Sequence, residues 1–378
     1  MSFPPVYHII IPRRIQKMKI FCLSILLVLL TSLVVPGEAI SLPELKNPEK
    51  IFVDKNHIYI TEFPFIYIYS LKDFSLIKKF GQRGEGPREF LLHIHLSIQP
   101  DYLMVQSRGK VSFFSLEKAG EEFPGSSGNK KFSFLREYRS PFVFREAKAL
   151  DKQLVIAKSN IDRESNTIFL TVNRCNHDFS DLKEIYRVKH FFQIQNGKPV
   201  NAVYLGRGTL CGRLSPLFYT LQDKILIEDN HGETGTILIF NSNGEKLLSA
   251  THNYEQLEFT PKHKKEILDL FILKRKSRAL RILDERKLIV YPEYFPPIRI
   301  FHAADNKIYV VPYKKKQDKS ELHIFDMEGK LLKKVLVDLA EQDIFEFYPY
   351  AISGGKVYQL IDNEDTDDWE LRIREIEK

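Results

Sequence analysis

Hydrophobic and polar positions alternate along most of the chain, in short runs separated by a few polar residues. Two long examples are IFVDKNHIYITEFPFIYIYSLKDFSLIKKF, which begins at Ile51, and RIFHAADNKIYVVPYKKKQDKSELHIFDMEGKLLKKV, which begins at Arg299. Alternation with a period of two indicates strands that bury one face, and polar turns between such runs indicate antiparallel hairpins. The pattern therefore predicts an all-β protein.

The same strand pattern recurs as a repeat. The two long examples align with each other, and weaker copies begin at Ser97, Glu146, Pro216 and Tyr350. Units of roughly 45 residues, each a four-strand antiparallel meander, are typical of propeller blades. We therefore predict a six-bladed β-propeller of four-stranded antiparallel blades, in which an N-terminal strand near 44–51 completes the last blade.

Two intervals, about 187–215 and 254–297, are longer than one unit and are interpreted as insertions. The first contains turn signals, Asn196-Gly197 among them. The second predicts a helix between late blades, with Thr260 as its cap, Pro261 at its first position and Ile267 and Phe271 on one face. The basic segment 275–281 that follows is interpreted as a solvated helix end.

The N-terminal segment has the order of parts of a secretory signal. Basic residues precede a mostly apolar run, Ile20 to Val35, and small residues follow in Pro36-Gly-Glu-Ala39. We predict a signal peptide over residues 1–39, cleaved after Ala39, and a propeller domain over residues 40–378. The protein would then be exported, to the periplasm, the cell surface or the medium. The alternative is an uncleaved membrane anchor, which would be its sole contact with a membrane.

Charge and cysteine content limit the partners. Removing residues 1–39 takes away four positive charges and one negative charge, which leaves +4 of the formal +7. So mild a charge does not predict a nucleic-acid partner. Two cysteines remain, Cys175 and Cys211, and both a disulfide and two buried thiols stay open.

The glycine-rich stretch FGQRGEGPREF, from Phe80 to Phe90, raises the question of phosphate binding. A P-loop needs Lys-Ser or Lys-Thr after its last glycine, whereas Pro87 and Arg88 occupy those positions here. Pro87 also lacks the N–H that a phosphate would accept from. The stretch is better interpreted as the crossing from the outer strand of one blade to the inner strand of the next, with Phe90 buried between the blades.

This crossing carries a resemblance to a known group. KKFGQRGEGPREF is similar to the Phe-Gly-x-x-Gly-x-Gly-Pro-Gly-Glu-Phe linker of six-bladed β-propellers of the NHL-like and TolB-like kind, found in many exported bacterial proteins. PEYFPPIRIF followed by NKIYVV resembles the entry to a late blade in that group. The chain departs from the linker pattern at Arg88, where glycine is usual. The resemblance covers most of residues 45–378 and implies the fold rather than an activity.

Candidate binding residues follow from the predicted topology. In a four-strand meander, the loops after second strands and the crossings between blades share one face, which surrounds the mouth of the central channel. The polar residues that we place there as ligand-binding candidates are Arg83, Arg88, Arg108, Lys158, Asn160, Glu228, Asp229, His231, Tyr313 and Asp362. The competing interpretation is that they are ordinary turn residues, which bond their own backbone.

These considerations predict a monomeric binding or interaction module that recognises a protein or small-molecule ligand at the channel mouth. We assign no catalytic residue, no metal site and no cofactor; calcium stays open, since Glu228, Asp229, Asp362, Asn160 and Asn363 could supply its oxygen ligands. The alternative is a metal-dependent hydrolase or lactonase with calcium or zinc on the axis and His231 as a base. His93 and His95 share one strand face, but a zinc site needs a third ligand that the sequence does not supply. A purely structural module stays open as well.

Overall fold

The computed structural model describes residues 39–116, 133–162, 164, 167–195, 198–199, 203–204, 216–229, 234–274, 276–287 and 289–376. The first strand is β1 (Ala39–Leu42). Blade 1 follows, with β2 (Lys50–Val53), β3 (His57–Glu62), β4 (Phe65–Ser70) and β5 (Leu76–Phe80). The glycine-rich crossing contains a short parallel pair, β6 (Gln82–Arg83) and β7 (Glu89–Phe90).

Blades 2 and 3 repeat the antiparallel meander. Blade 2 consists of β8 (His95–Ile98), β9 (Tyr102–Ser107), β10 (Lys110–Ser115) and β11 (Phe134–Arg139). Blade 3 consists of β12 (Glu146–Leu150), β13 (Gln153–Asp162), β14 (Thr167–Asn176) and β15 (Lys183–Gln195), with β16 (Lys198–Pro199) at its outer edge. The first insertion then contributes β17 (Val203–Tyr204).

Blade 4 precedes the helical insertion. It consists of β18 (Phe218–Leu221), β19 (Lys224–Asp229), β20 (Gly235–Asn241) and β21 (Lys246–His252). Thr260 caps α1 (Pro261–Leu268), as predicted, and its hydroxyl accepts from the His263 amide. The helix continues as a π-helix, Asp269–Lys274, and a second helix that we did not predict, α2 (Arg278–Glu285), follows. The exposed basic residues Arg278 and Arg281 therefore belong to a further helix rather than to a helix end.

The last two blades close the ring. After β22 (Ile289–Val290), blade 5 is built from β23 (Ile298–Ala304), β24 (Lys307–Pro312), β25 (Lys315–Lys316), β26 (Lys319–Phe325) and β27 (Leu331–Val337). Blade 6 contains β28 (Tyr350–Ser353), β29 (Lys356–Asn363) and β30 (Asp368–Glu375). Its fourth strand is β1, which pairs with β30. An N-terminal strand thus completes the last blade as predicted, although it lies before residue 44 rather than over 44–51.

The described residues form six blades whose cores lie between neighbouring sheets. Each of the six blade interfaces holds its own cluster of buried side chains; examples are Phe90 between blades 1 and 2, Phe113 between blades 2 and 3, and Phe301 between blades 4 and 5. Fully burying such a side chain contributes about 1.5–3 kcal/mol. Because blade 6 also packs against blade 1, through Tyr67 and Leu371, the sheets close into a toroid and the predicted six-bladed propeller is confirmed.

The two insertions meet at one point. The strands β17 and β22 pair in parallel, with Val203 opposite Ile289. The turns predicted in the first insertion at Asn196-Gly197, as well as Cys211, lie outside the described residues. In the ranges that the structure describes, no helix combines the length and the apolar character needed to cross a membrane.

Candidate functional site

The glycine-rich crossing is a structural corner. Gly81 and Gly84 have φ values of 109° and 157°. A Cβ on Gly81 would lie 2.3 Å from the Pro64 carbonyl oxygen, so glycine is required where the chain passes the turn between β3 and β4. Phe90 is fully buried between blades 1 and 2, as predicted.

The carboxylate of Glu89 accepts hydrogen bonds from donors within this loop. Glu89 accepts from the Gly86 amide at 2.8 Å and from Gln82 Nε2 at 2.6 Å, and these hydrogen bonds lower the pKa of Glu89. Lys110 reaches in from blade 2 and donates to the carbonyls of Gly86 and Glu89, both at 2.9 Å. The loop is therefore closed by groups of this chain, in agreement with a crossing rather than a phosphate cradle.

Polar side chains on second strands form hydrogen bonds to the backbone of three further crossings between blades. Gln106 donates to the Arg145 carbonyl at 2.9 Å and accepts from the Ala147 amide at 2.6 Å. Gln359 does the same for Ala340, and Glu62 accepts from the Lys46 amide at 2.9 Å. These side chains satisfy backbone groups that would otherwise lack a partner in the crossings, which is a structural role.

The ten predicted candidates fall into different surroundings. Arg83, Arg88, Arg108 and Asp362 are exposed. Lys158 lies 4.3 Å from the Phe142 ring, Asn160 donates to Thr171 at 3.3 Å, Glu228 is buried at the end of β19, and Asp229 accepts from the Tyr186 hydroxyl at 3.3 Å. His231 lies outside the described residues.

Tyr313 has a role that the sequence did not indicate. It is 7% exposed and belongs to the cluster that fixes the helical insertion, with its ring 4.8 Å from that of Phe295. The buried guanidinium of Arg299 lies 5.6 Å from the Tyr313 ring and pairs with Glu341. Tyr313 therefore attaches the insertion to blade 5, and its neighbours are core residues.

A different set of polar residues meets at the axis. The inner strands of blades 1, 2, 3 and 6 begin with Lys50, His95, Glu146 and Tyr350. Contacts between neighbouring inner strands join Lys50 to His95, Lys148 to Tyr219, Tyr219 to His302 and His302 to Tyr350, and the charges of Lys50 and His95 act on Glu146. We call this set the axial belt: Lys50, His95, Glu146, Lys148, Tyr219, His302 and Tyr350. These residues all lie on the inner strands of their blades, so the belt lies near the axis of the propeller.

Blades 1 to 3 contribute the charged half of the belt. Lys50 Nζ lies 2.7 Å from His95 Nδ1, across the interface of blades 1 and 2. On blade 3, Lys148 Nζ lies 3.1 Å from Glu146 Oε1, and these two side chains are 15% and 20% exposed. Both members of this ion pair are therefore mostly, but not fully, removed from solvent.

Blades 4 to 6 contribute the aromatic half. Lys148 connects the two halves, since its ammonium lies 4.4 Å from the Tyr219 ring. The Tyr219 hydroxyl lies 3.2 Å from His302 Nδ1, and the His302 and Tyr350 rings are 4.5 Å apart in an edge-to-face arrangement. Such ring pairs contribute about 0.5–1.5 kcal/mol beyond the area they bury.

The charges of the belt are strongly coupled. Burial alone would raise the pKa of Glu146, but the ammonium groups of Lys148 and Lys50 outweigh it and lower this pKa to about 2. Burial lowers the pKa of His95 to about 4, and the charge of Lys50 acts in the same direction. Burial also lowers the pKa of Lys50, opposed by Glu146. At neutral pH the charged half therefore holds an ionised carboxylate, a neutral imidazole and two amines.

Metal-binding geometry is not found in the part of the chain that the structure describes: no three His, Cys, Asp or Glu side chains lie close enough to hold an ion. His93 is exposed and its Nδ1 lies 3.4 Å from Glu49, whereas His95 faces Lys50. The two histidines therefore have different partners. Cys175 is a buried thiol, and burial raises its pKa to about 12.

Comparison with known proteins leaves the family open. No protein-family model matches the chain, and no curated protein matches it. Among solved structures it is similar to Hsv2 of Kluyveromyces lactis, with 12% identity and a TM-score of 0.35 over 88% of this chain and 86% of that one. It is also similar to Hsv2 of Kluyveromyces marxianus, with 10% identity and a TM-score of 0.37 over 89% and 97%. Similarity at this level carries no functional argument, and the fold assignment rests on the strand pairings.

The sequence did contain a signal for the belt. The first residue of an inner strand is polar in blades 1, 2 and 3, at Lys50, His95 and Glu146. These positions resemble the polar ends of any strand, and we singled out only His95, as part of a histidine pair. What distinguishes them is their place on innermost strands.

Proposed function

We propose that the protein is a binding module whose ligand enters the central channel and is held by the axial belt. The ligand that fits is a small organic molecule with a negative charge. The observation that carries this proposal is the cluster of Lys50, His95, Glu146 and Lys148, which three separate blades bring together at the axis.

The charge balance of the cluster favours an anion. The belt holds the amines of Lys50 and Lys148 and one carboxylate, that of Glu146; Glu49 also acts on Lys50 but lies outside the belt, 3.4 Å from His93 Nδ1. His95, with a pKa of about 4, adds no charge at neutral pH. Two partly buried amines that share one belt carboxylate are costly to keep charged, and a bound anion would lower that cost.

The aromatic half favours an organic ligand over a bare ion. The rings of Tyr219, His302 and Tyr350 continue the belt from the Lys148 ammonium, which lies 4.4 Å from the Tyr219 ring. Sites for small molecules combine apolar or aromatic walls with a few polar groups that fix orientation. A carboxylate at the lysines and a carbon skeleton against the rings would use both halves.

Thermal melting with matched ligand pairs tests the proposal. Pyruvate, succinate and benzoate are compared with their neutral amides in low salt. At least one carboxylate is expected to raise the melting temperature while its amide does not, because a ligand that binds only the folded state stabilises it.

The matched variants are Lys148→Met, at the belt, and Lys152→Met, at an exposed site in the turn after β12. The carboxylate effect should disappear in the first variant and persist in the second. If no carboxylate exceeds its amide, or if the effect survives Lys148→Met, the axial belt is not the binding site.

We further propose that the propeller is exported after cleavage behind Ala39. Residues 1–38 lie outside the described residues, and the support comes from the sequence: basic residues precede the apolar run Ile20 to Val35, and small residues follow it up to Ala39. The resemblance of the glycine-rich crossing to exported propellers supports the same proposal. Expression of the full chain in an exporting bacterial host, followed by N-terminal sequencing, should give Ile40 as the first residue. Recovery of uncleaved protein from the cytosol would contradict this proposal.

A further inference from the structure

The closest polar contact in the charged half joins an amine to an imidazole. Lys50 Nζ lies 2.7 Å from His95 Nδ1, and both residues are half-buried. Since the pKa of His95 is lowered to about 4 by burial and by Lys50, the imidazole is neutral and its Nδ1 accepts from the amine. Lys50 thus has a proton acceptor in direct contact.

On balance, the surroundings of Lys50 lower its pKa and so disfavour its ammonium form. Burial lowers the pKa of Lys50, Lys148 acts in the same direction, and Glu146 and Glu49 oppose them. Glu146 is shared, because its carboxylate is 3.1 Å from Lys148 Nζ. A desolvated lysine beside a second cation is an arrangement that activates amines as nucleophiles.

Two other lysines that are buried or half-buried, Lys110 and Lys148, differ from Lys50 in their closest partners. Lys110 pairs with Glu137 at 3.0 Å and donates to loop carbonyls, and Lys148 pairs directly with Glu146. Carboxylate partners favour the charged form, which is not nucleophilic. In the charged half, Lys50 is the amine whose closest polar partner is a neutral base.

We propose that Lys50 is a reactive amine that captures a small aldehyde or ketone in the channel as an imine. This inference rests on the proposed function, because it makes a carbonyl compound the ligand of the same site. It also names a role for the Lys50–His95 pair that reversible anion binding does not require.

The step balances without a further reactant. The neutral form of the Lys50 amine attacks the carbonyl carbon, a C–N bond forms, and the first nitrogen proton passes by way of His95 Nδ1 to the carbonyl oxygen to give a carbinolamine. His95 Nδ1 then accepts the second nitrogen proton and passes it to the departing hydroxyl. The C–O bond then breaks, water leaves, and the product is an imine between Lys50 and the ligand.

Reductive trapping tests the inference on the purified protein. Pyruvate and sodium cyanoborohydride are added at pH 7, and modified lysines are mapped by peptide mass spectrometry over time. Lys50 is expected to react at least about tenfold faster than the exposed Lys55, because a positioned base alone contributes roughly 10²-fold or more. Equal rates at Lys50 and Lys55 would overturn the inference.

Two variants separate the chemistry from folding. Lys50→Arg should abolish the fast phase, and Lys55→Arg should leave it unchanged. His95→Gln keeps a hydrogen-bond acceptor but removes the base, so Lys50 should be modified more slowly while the melting temperature stays close to that of the wild type. Unchanged labelling in His95→Gln would remove His95 from the mechanism and contradict the proposed pair.

The same samples distinguish the two proposals. Calorimetry with pyruvate in the absence of reductant measures reversible binding. If pyruvate binds and Lys50 is not trapped, the binding proposal stands and the imine is refuted. If Lys50 is trapped but carboxylates raise the melting temperature no more than their amides do, the ligand is a carbonyl compound. The proposal that the ligand carries a negative charge is then refuted.

Discussion

The two halves of the axial belt are held together by different forces. In the charged half, a hydrogen bond joins Lys50 to His95 and an ion pair joins Glu146 to Lys148. In the aromatic half, Tyr219, His302 and Tyr350 pack through their rings. Ion pairs out of water contribute little net stability because desolvation offsets attraction, whereas buried rings stabilise directly. The difference suggests that the aromatic half maintains the ring and that the charged half is available for a ligand.

The largest expected effect is on the aromatic side. Tyr350→Ala should lower the free energy of unfolding by about 3–5 kcal/mol, the usual loss for a buried aromatic residue. Tyr350 is 8% exposed and its ring packs against His302 and Phe347. Urea denaturation gives the value.

Tyr294→Ala is the matched control, since Tyr294 is 39% exposed and lies outside the belt. Its loss should be about 1 kcal/mol or less. If the two variants lost similar amounts, the aromatic half would contribute no more to the fold than an ordinary surface ring, and the comparison between the halves would fail.

The sequence predicted most of the fold because the fold is local. Alternation and turns define each hairpin, and Thr260, Pro261 and Phe90 act through near neighbours. The belt is not local: Lys50 and Tyr350 are in one ring because β1 closes blade 6 and the toroid brings the ends of the chain together.

The burial of Tyr313 was not predicted for a similar physical reason. Tyr313 follows a second strand and was expected at the channel mouth, but the insertion between blades 4 and 5 covers it with Phe259 and Phe295. Tertiary packing of an insertion leaves no periodic signal in the sequence. Alternation therefore predicted which residues form strands, and could not predict which turn residues an insertion covers.

A smaller effect is expected on the charged side. Glu146→Gln should lower the free energy of unfolding at pH 7 by about 2 kcal/mol, because it leaves the ammonium groups of Lys50 and Lys148 without their carboxylate. The pKa of Glu146 is lowered to about 2 in the folded state, so the carboxylate stabilises the fold above its unfolded pKa and this contribution is lost as the pH falls toward 2. The difference between wild type and variant should vanish over that range.

Glu184→Gln serves as the control for this measurement. Glu184 pairs with Arg187 at 2.7 Å on the exposed face of β15. Exposed pairs contribute about 0.2–1 kcal/mol, so the variant should lose little at any pH. A loss in Glu146→Gln that did not depend on pH would show that the charge of this residue is not what stabilises it.

Calcium is expected to have the smallest effect on either half. Calcium takes about six to eight oxygen ligands, whereas the belt offers the Glu146 carboxylate, which already pairs with Lys148. Millimolar calcium should therefore shift the melting temperature by less than about 1 °C, since only an ion that binds the folded state raises it. A shift of several degrees would favour the metal-dependent hydrolase, and Glu146→Gln would locate its site. A shift lost in that variant would place calcium at the belt, against the anion proposal. A shift retained there would place calcium elsewhere and leave the anion proposal intact.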